Sequence, residues 1–184
     1  MNTNPTVRPG DWFVTTISGP GGLAIGLGEA WADAVALGKL TASERRLAEN
    51  WRHAGIFLGD GSVLQAEPHG AQIVDWTPCP GTLISTGLWP QADPEEITHL
   101  AAGYTGTPYS WLDYAQLALH RMGRNTDRLQ AEIKASGHMM CSQLTDRFQL
   151  DLGVHLFDDD RWEGDVMPLD LGLLLKSKGA WSWA

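Results

Sequence analysis

The chain is short of basic residues: 13 Lys and Arg stand against 22 Asp and Glu, a formal net charge of −9 at pH 7. A nucleic-acid partner is therefore not expected, because phosphate binding needs a basic stripe that releases counterions. Only two cysteines, Cys79 and Cys141, are present, too few for a disulfide framework, and the sequence leaves open whether they pair. There is no apolar run of membrane-spanning length, and the opening Met1-Asn2-Thr3-Asn4-Pro5 is polar. No signal peptide or integral membrane association is expected, so the chain as written reads as soluble and cytoplasmic, with export by another route left open. Metal-ligand patterns are also missing. His138-x-x-Cys141 stands alone, and Asp158-Asp159-Asp160 with Glu163 and Asp165 lacks the alternation and central glycine of a calcium loop. That cluster reads as a solvated loop, and no metal or other cofactor is called for.

What is present suits one globular domain. At 184 residues with 43% hydrophobic content, the chain can bury a sizeable core, and its nine tryptophans can fill that core or rim a groove. Residues 11–16 read as a first strand closed by Gly19-Pro20-Gly21-Gly22. A helical stretch follows, with Leu27, Trp31, Ala34 and Val35 at helical spacing, a stop at Gly38, and a capping start for another helix at Thr41-Ala42-Ser43-Glu44. Short β-rich runs over 53–58, 62–67, 71–76 and 83–87 predict a meander-like antiparallel sheet. Helices are expected from Asp93, over Ser110–Met122, over Asp127–Ala135 and from about Met140 to Asp151. The sum is a single α+β domain over 1–184, with a helical insertion at about 21–50.

Two segments carry chemistry. His53 opens a strand on which His53, Gly55 and Phe57 share a face, and the return strand can place Val63, Gln65 and Glu67 on that same face. Gln65 or Glu67 can therefore reach the imidazole and fix its tautomer. Cys141 stands at a helix start after the breaker Gly137, with Leu144, Phe148 and Leu152 as the anchoring stripe. A helix N-terminus favours thiolate through its unpaired N–H groups and positive dipole end. The plainer alternatives are a small core thiol and a strand-end histidine satisfied by backbone or water. Cys79, in Thr77-Pro78-Cys79-Pro80, has no such context and reads as structural.

The run His53-Ala54-Gly55-Ile56-Phe57-Leu58-Gly59-Asp60-Gly61-Ser62-Val63-Leu64-Gln65-Ala66 resembles the histidine hairpin of NlpC-type papain-like cysteine peptidases and amidases. The resemblance implies a third polar residue twelve positions after the histidine, which is Gln65, with Glu67 as the alternative third member. Gly106-Thr107-Pro108-Tyr109-Ser110-Trp111 is similar to the family's Gly-x-Pro-Tyr-x-Trp segment, which implies an oxyanion-stabilising role for Tyr109. Here the histidine precedes the cysteine, as in the circularly permuted branch that includes lecithin retinol acyltransferase-like proteins. Gly10-Asp11-Trp12-Phe13 and Met167-Pro168-Leu169-Asp170-Leu171 are similar to that branch's opening and closing segments. Residues 21–50 and 123–137 have no counterpart in it.

The fold implied is a permuted papain-like one, an antiparallel sheet or half-barrel packed against helices with the nucleophile at a helix N-terminus. The implied activity is amide cleavage through a thioester, with Cys141 as nucleophile and His53 as base, on a peptidoglycan-type peptide. The alternatives are an acyl-lipid thioesterase or acyltransferase, and a non-catalytic papain-like binding module.

Overall fold

The computed structural model describes residues 6–16, 51–110, 116, 117, 119, 126–159, 161 and 164–183. The helices expected over 27–35 and from Thr41, and with them the insertion at 21–50, lie outside the described residues, as does most of the helix expected over 110–122.

The fold is α+β. Among the described residues an antiparallel sheet of six strands comprises β1 (Trp12–Thr15), β2 (His53–Phe57), β3 (Ser62–Glu67), β4 (Gly70–Asp75), β5 (Leu83–Ile84) and β6 (Trp181–Ser182), in the order β4-β3-β2-β1-β5-β6. Four further elements among the described residues are α1 (Pro94–Tyr104), α2 (Thr126–Ser136), α3 (Cys141–Asp151) and α4 (Pro168–Ser177).

The β2–β3–β4 meander sits within a residue of its expected place. Its first turn follows from Gly59 (φ 96°) and Gly61 (φ 91°), which adopt the left-handed backbone, and from Asp60 Oδ1, which accepts from the Ser62 amide at 2.9 Å. Hydrogen bonds from the Ser62 hydroxyl and amide hold the Asp60 carboxyl below its ordinary pKa.

The meander does not continue to the next strand as expected. β5 is confined to Leu83–Ile84 and lies beyond β1, not beside β4. The reason lies in β1: Trp12, Phe13 and Val14 are 1%, 2% and 0% exposed, so this strand is covered on both faces and paired on both edges. Past β5 the pairing persists at one residue, where the Ser85 amide donates to the Trp12 carbonyl at 2.9 Å and the Trp12 amide donates to Ser85 Oγ at 2.8 Å. Gly87 (φ 76°) and the Leu88 amide bonded to the Ser85 carbonyl then turn the chain away.

Alternation separates two cores. On one face Trp12, Val14, Ala54, Ile56, Leu64 and Ala66 pack with Cys141, Leu144 and Phe148 of α3 and with Leu171 and Leu175 of α4. On the other, Phe13, Phe57, Val63 and Ile84 pack with half-buried Trp76, Trp181 and Trp183. Both α4 and β6 are additions to the expected elements. α4 carries Pro168 at its first position, and Asp170 Oδ2 accepts from the Met167 amide at 2.8 Å.

α4 meets the strand entry through Gly172, where a Cβ would lie 2.1 Å from Cε3 of Trp51. Gly172→Ala is therefore expected to destabilise the fold despite alanine's better helix propensity, by about 1–3 kcal/mol of overpacking against a rigid indole. A drop in the urea midpoint at constant slope would register it.

Candidate functional site

Cys141 is the first residue of α3 and is 1% exposed. Met140, the residue at the cap, offers no hydroxyl or carboxylate, and Gln143 takes over that task. Its Oε1 accepts from the Met140 amide at 2.9 Å, while its Nε2 donates to the Gly164 carbonyl at 2.9 Å. The Ser142 hydroxyl donates to the Val166 carbonyl at 2.7 Å, so the segment 164–166 holds the first turn in place. The signal for Gln143 was in the sequence, a Gln three residues after the cap position, but its anchor at Gly164 was not. The leading amides of any α-helix lack intrahelical partners, so the Cys141 sulfur lies at the positive end of α3.

Tyr109 is placed beside that helix start. It forms a parallel bridge with Met139, and the Met139 amide donates to the Pro108 carbonyl at 3.0 Å. Both residues pack against the apolar cluster that contains Cys141. Gly106 and Thr107 are bonded in turn to Ala71, which ties this segment to the start of β4.

His53, 9% exposed, is the first residue of β2. Its Nε2 lies 2.9 Å from Gln65 Oε1. The geometry follows from the register. Gln65 stands opposite Gly55, not His53, and reaches the ring on the diagonal across a residue that has no side chain. The Phe13 ring occupies the space over Gly55, where a Cβ would lie 2.9 Å from it, and presents itself edge-on to the imidazole with centroids 6.4 Å apart.

Glu67 does not touch the imidazole. Its two carboxylate oxygens accept from Gln65 Nε2 and from Gln72 Nε2. Of the two residues considered for the imidazole's partner, Gln65 makes the contact and Glu67 holds Gln65. Gln72 was missed in the sequence, because its place depends on the β3–β4 register.

α3 packs on β2 and β3, and Cys141 shares its cluster with Ala54, the neighbour of His53. Parity along β2 qualifies the expectation of a simple facing pair. Ala54 and Ile56 point toward α3, whereas His53 belongs to the face of Gly55 and Phe57. His53 begins that strand, so its ring stands at the end of β2.

Cys79 Sγ lies 3.3 Å from Thr16 Oγ1, and neither cysteine is in a disulfide. Asp159 is paired with Arg161, whose hydrogen bonds hold its carboxyl below the ordinary pKa, and Arg161 also stacks 3.8 Å from the Phe157 ring centroid. The acidic segment is thus partly an ion-paired loop rather than a purely solvated one. Among the described residues no group of three or more His, Cys, Asp or Glu is arranged to hold a metal ion, and no helix is long and apolar enough to cross a membrane. Comparison with family models, with curated proteins and with solved structures gives no match for this chain.

Proposed function

We propose that this chain is a cysteine hydrolase with a permuted papain-like arrangement, cleaving an amide bond of a peptidoglycan-type peptide through a thioester. The observation that carries the reading is the 2.9 Å contact between His53 Nε2 and Gln65, on a strand against which the Cys141 helix packs. With Nε2 engaged, Nδ1 is the nitrogen left for the thiol proton. In this mechanism His53 accepts that proton, and the Cys141 sulfur attacks the acyl carbon. The oxyanion gathers at the amides of the first turn of α3 with Tyr109 beside it. His53 then returns the proton to the leaving amine, and water hydrolyses the thioester. A lipid or amine acceptor in place of water would make the same centre an acyltransferase. On the His53 face the half-buried Trp76, Trp183 and Trp181, stacked in turn over the buried Phe57 and Phe13, are the rings an acyl chain would meet.

The test is a covalent adduct. Incubation with peptidoglycan fragments and, separately, with short-chain acyl esters is expected to leave an acyl mass on the tryptic peptide containing Cys141. A peptide-derived mass supports the amidase, an ester-derived mass alone moves the substrate to acyl lipids, and no adduct with either counts against a nucleophilic thiol.

One observation favours a second reading. A thiol only 1% exposed within an apolar cluster is what a non-catalytic papain-like binding module would hold. Iodoacetamide separates the two, because an activated Cys141 is alkylated faster than a model thiol and a core thiol is alkylated only on unfolding.

A further inference from the structure

On the cysteine-hydrolase reading, we infer that Glu67 is a positioning residue that acts through Gln65 to fix the tautomer of His53, with the proton on Nε2 and the lone pair on Nδ1. A carboxylate only accepts, whereas a carboxamide has one end that donates and one that accepts. Glu67 receives Gln65 Nε2 on one oxygen and Gln72 Nε2 on the other. Gln65 must therefore turn its NH2 toward Glu67, which leaves its carbonyl oxygen as the atom 2.9 Å from His53 Nε2. A carbonyl oxygen cannot donate, so a hydrogen bond at that distance requires the proton on Nε2. In the neutral ring the lone pair then resides on Nδ1, the form a base needs to receive a thiol proton.

The sheet is built to hold this chain of contacts. Gln65 and Glu67 are two apart on β3 and share a face, and Gln65 is paired with Gln72 on β4. Glu67 stands opposite Gly70, as Gln65 stands opposite Gly55. Each cross-strand contact is thus a diagonal reach over a glycine, His53 to Gln65 over Gly55 and Glu67 to Gln72 over Gly70. In the proton transfer one proton leaves Sγ and arrives on Nδ1. Gln65 and Glu67 exchange none, and the Nε2–H bond to Gln65 persists in the imidazolium.

The test reads the ring directly in the full chain, by 15N NMR of the histidine side chains at a pH where His53 is neutral. In the wild type the pyridine-like nitrogen of His53 is expected to be Nδ1. Glu67→Gln keeps the shape but lets position 67 donate, which frees Gln65 to flip. Both tautomers are then expected, with a fall in Cys141 alkylation of roughly two- to tenfold in proportion to the competent fraction. The exchanged pair Gln65→Glu with Glu67→Gln restores an acceptor-only group at the ring and is expected to restore the single tautomer, a rescue that a merely structural role does not produce. An unchanged ring spectrum in Glu67→Gln overturns the inference while leaving the hydrolase reading standing. A wild-type proton on Nδ1 overturns the inference together with the assignment of His53 as base. The expected spectra without turnover on any substrate uphold the tautomer lock and remove the hydrolase reading.

Discussion

Cys141→Ser is expected to lower turnover roughly 10⁴-fold or more while the chain still folds, since loss of a covalent nucleophile removes the step on which the rest of the machinery acts. Serine nearly preserves the volume, but its hydroxyl does not ionise at neutral pH. The same substitution places a hydroxyl at a site 1% exposed, in the apolar cluster that also holds Leu144, Ala54 and Ile56. A stability loss of about 1–3 kcal/mol is therefore expected alongside the loss of activity. The two effects separate experimentally: turnover per folded molecule at saturating substrate reports the chemistry, and the denaturant midpoint reports the core. Retained turnover in folded protein would place the reaction at another group. A large stability loss in a protein whose wild type shows no turnover would mark Cys141 as a core residue.

His53→Ala is expected to lower turnover by roughly 10²–10⁴-fold, the range a positioned general base contributes, and to slow alkylation of Cys141. The second readout is the more telling one, because Gln65 and the Phe13 edge hold the ring whatever its purpose. Removing it leaves Gln65 Oε1 without its ring partner in a half-buried position. That change is expected to cost about 1–3 kcal/mol in either reading, so stability does not discriminate. An alkylation rate unmoved by His53→Ala would show that sulfur and ring do not communicate, and the catalytic pairing would fail there.

The parts of the fold legible in the sequence are those whose signals are local. The β2–β3 hairpin follows from two glycines flanking Asp60 and from alternating apolar positions, and α3 follows from Gly137 and the stripe of Leu144 and Phe148. Less legible was α4. Pro168, Asp170 and the run of leucines are ordinary helix-start and helix-body signals, but the resemblance marks 167–171 only as a closing segment and not as a helix. β6 is two residues long and has meaning only as the partner of β5. The site divides in the same way. That Gln65 and Glu67 both lie on the His53 face is a matter of parity, whereas their division of labour depends on Gln72 and on the two glycines they cross.

By itself, the sequence determined the hairpin, the shared face of His53, Gln65 and Glu67, and a helix headed by Cys141, because turn chemistry, strand parity and helix starts are written within a few neighbouring residues. Only the tertiary structure decided that β1 lies between β2 and β5, that Gln65 rather than Glu67 contacts the ring, and that α3 covers the face of the sheet opposite to His53. Those outcomes depend on which distant segments bury a two-sided strand and which register they adopt, and burial of that kind is a property of the assembled chain rather than of any stretch within it.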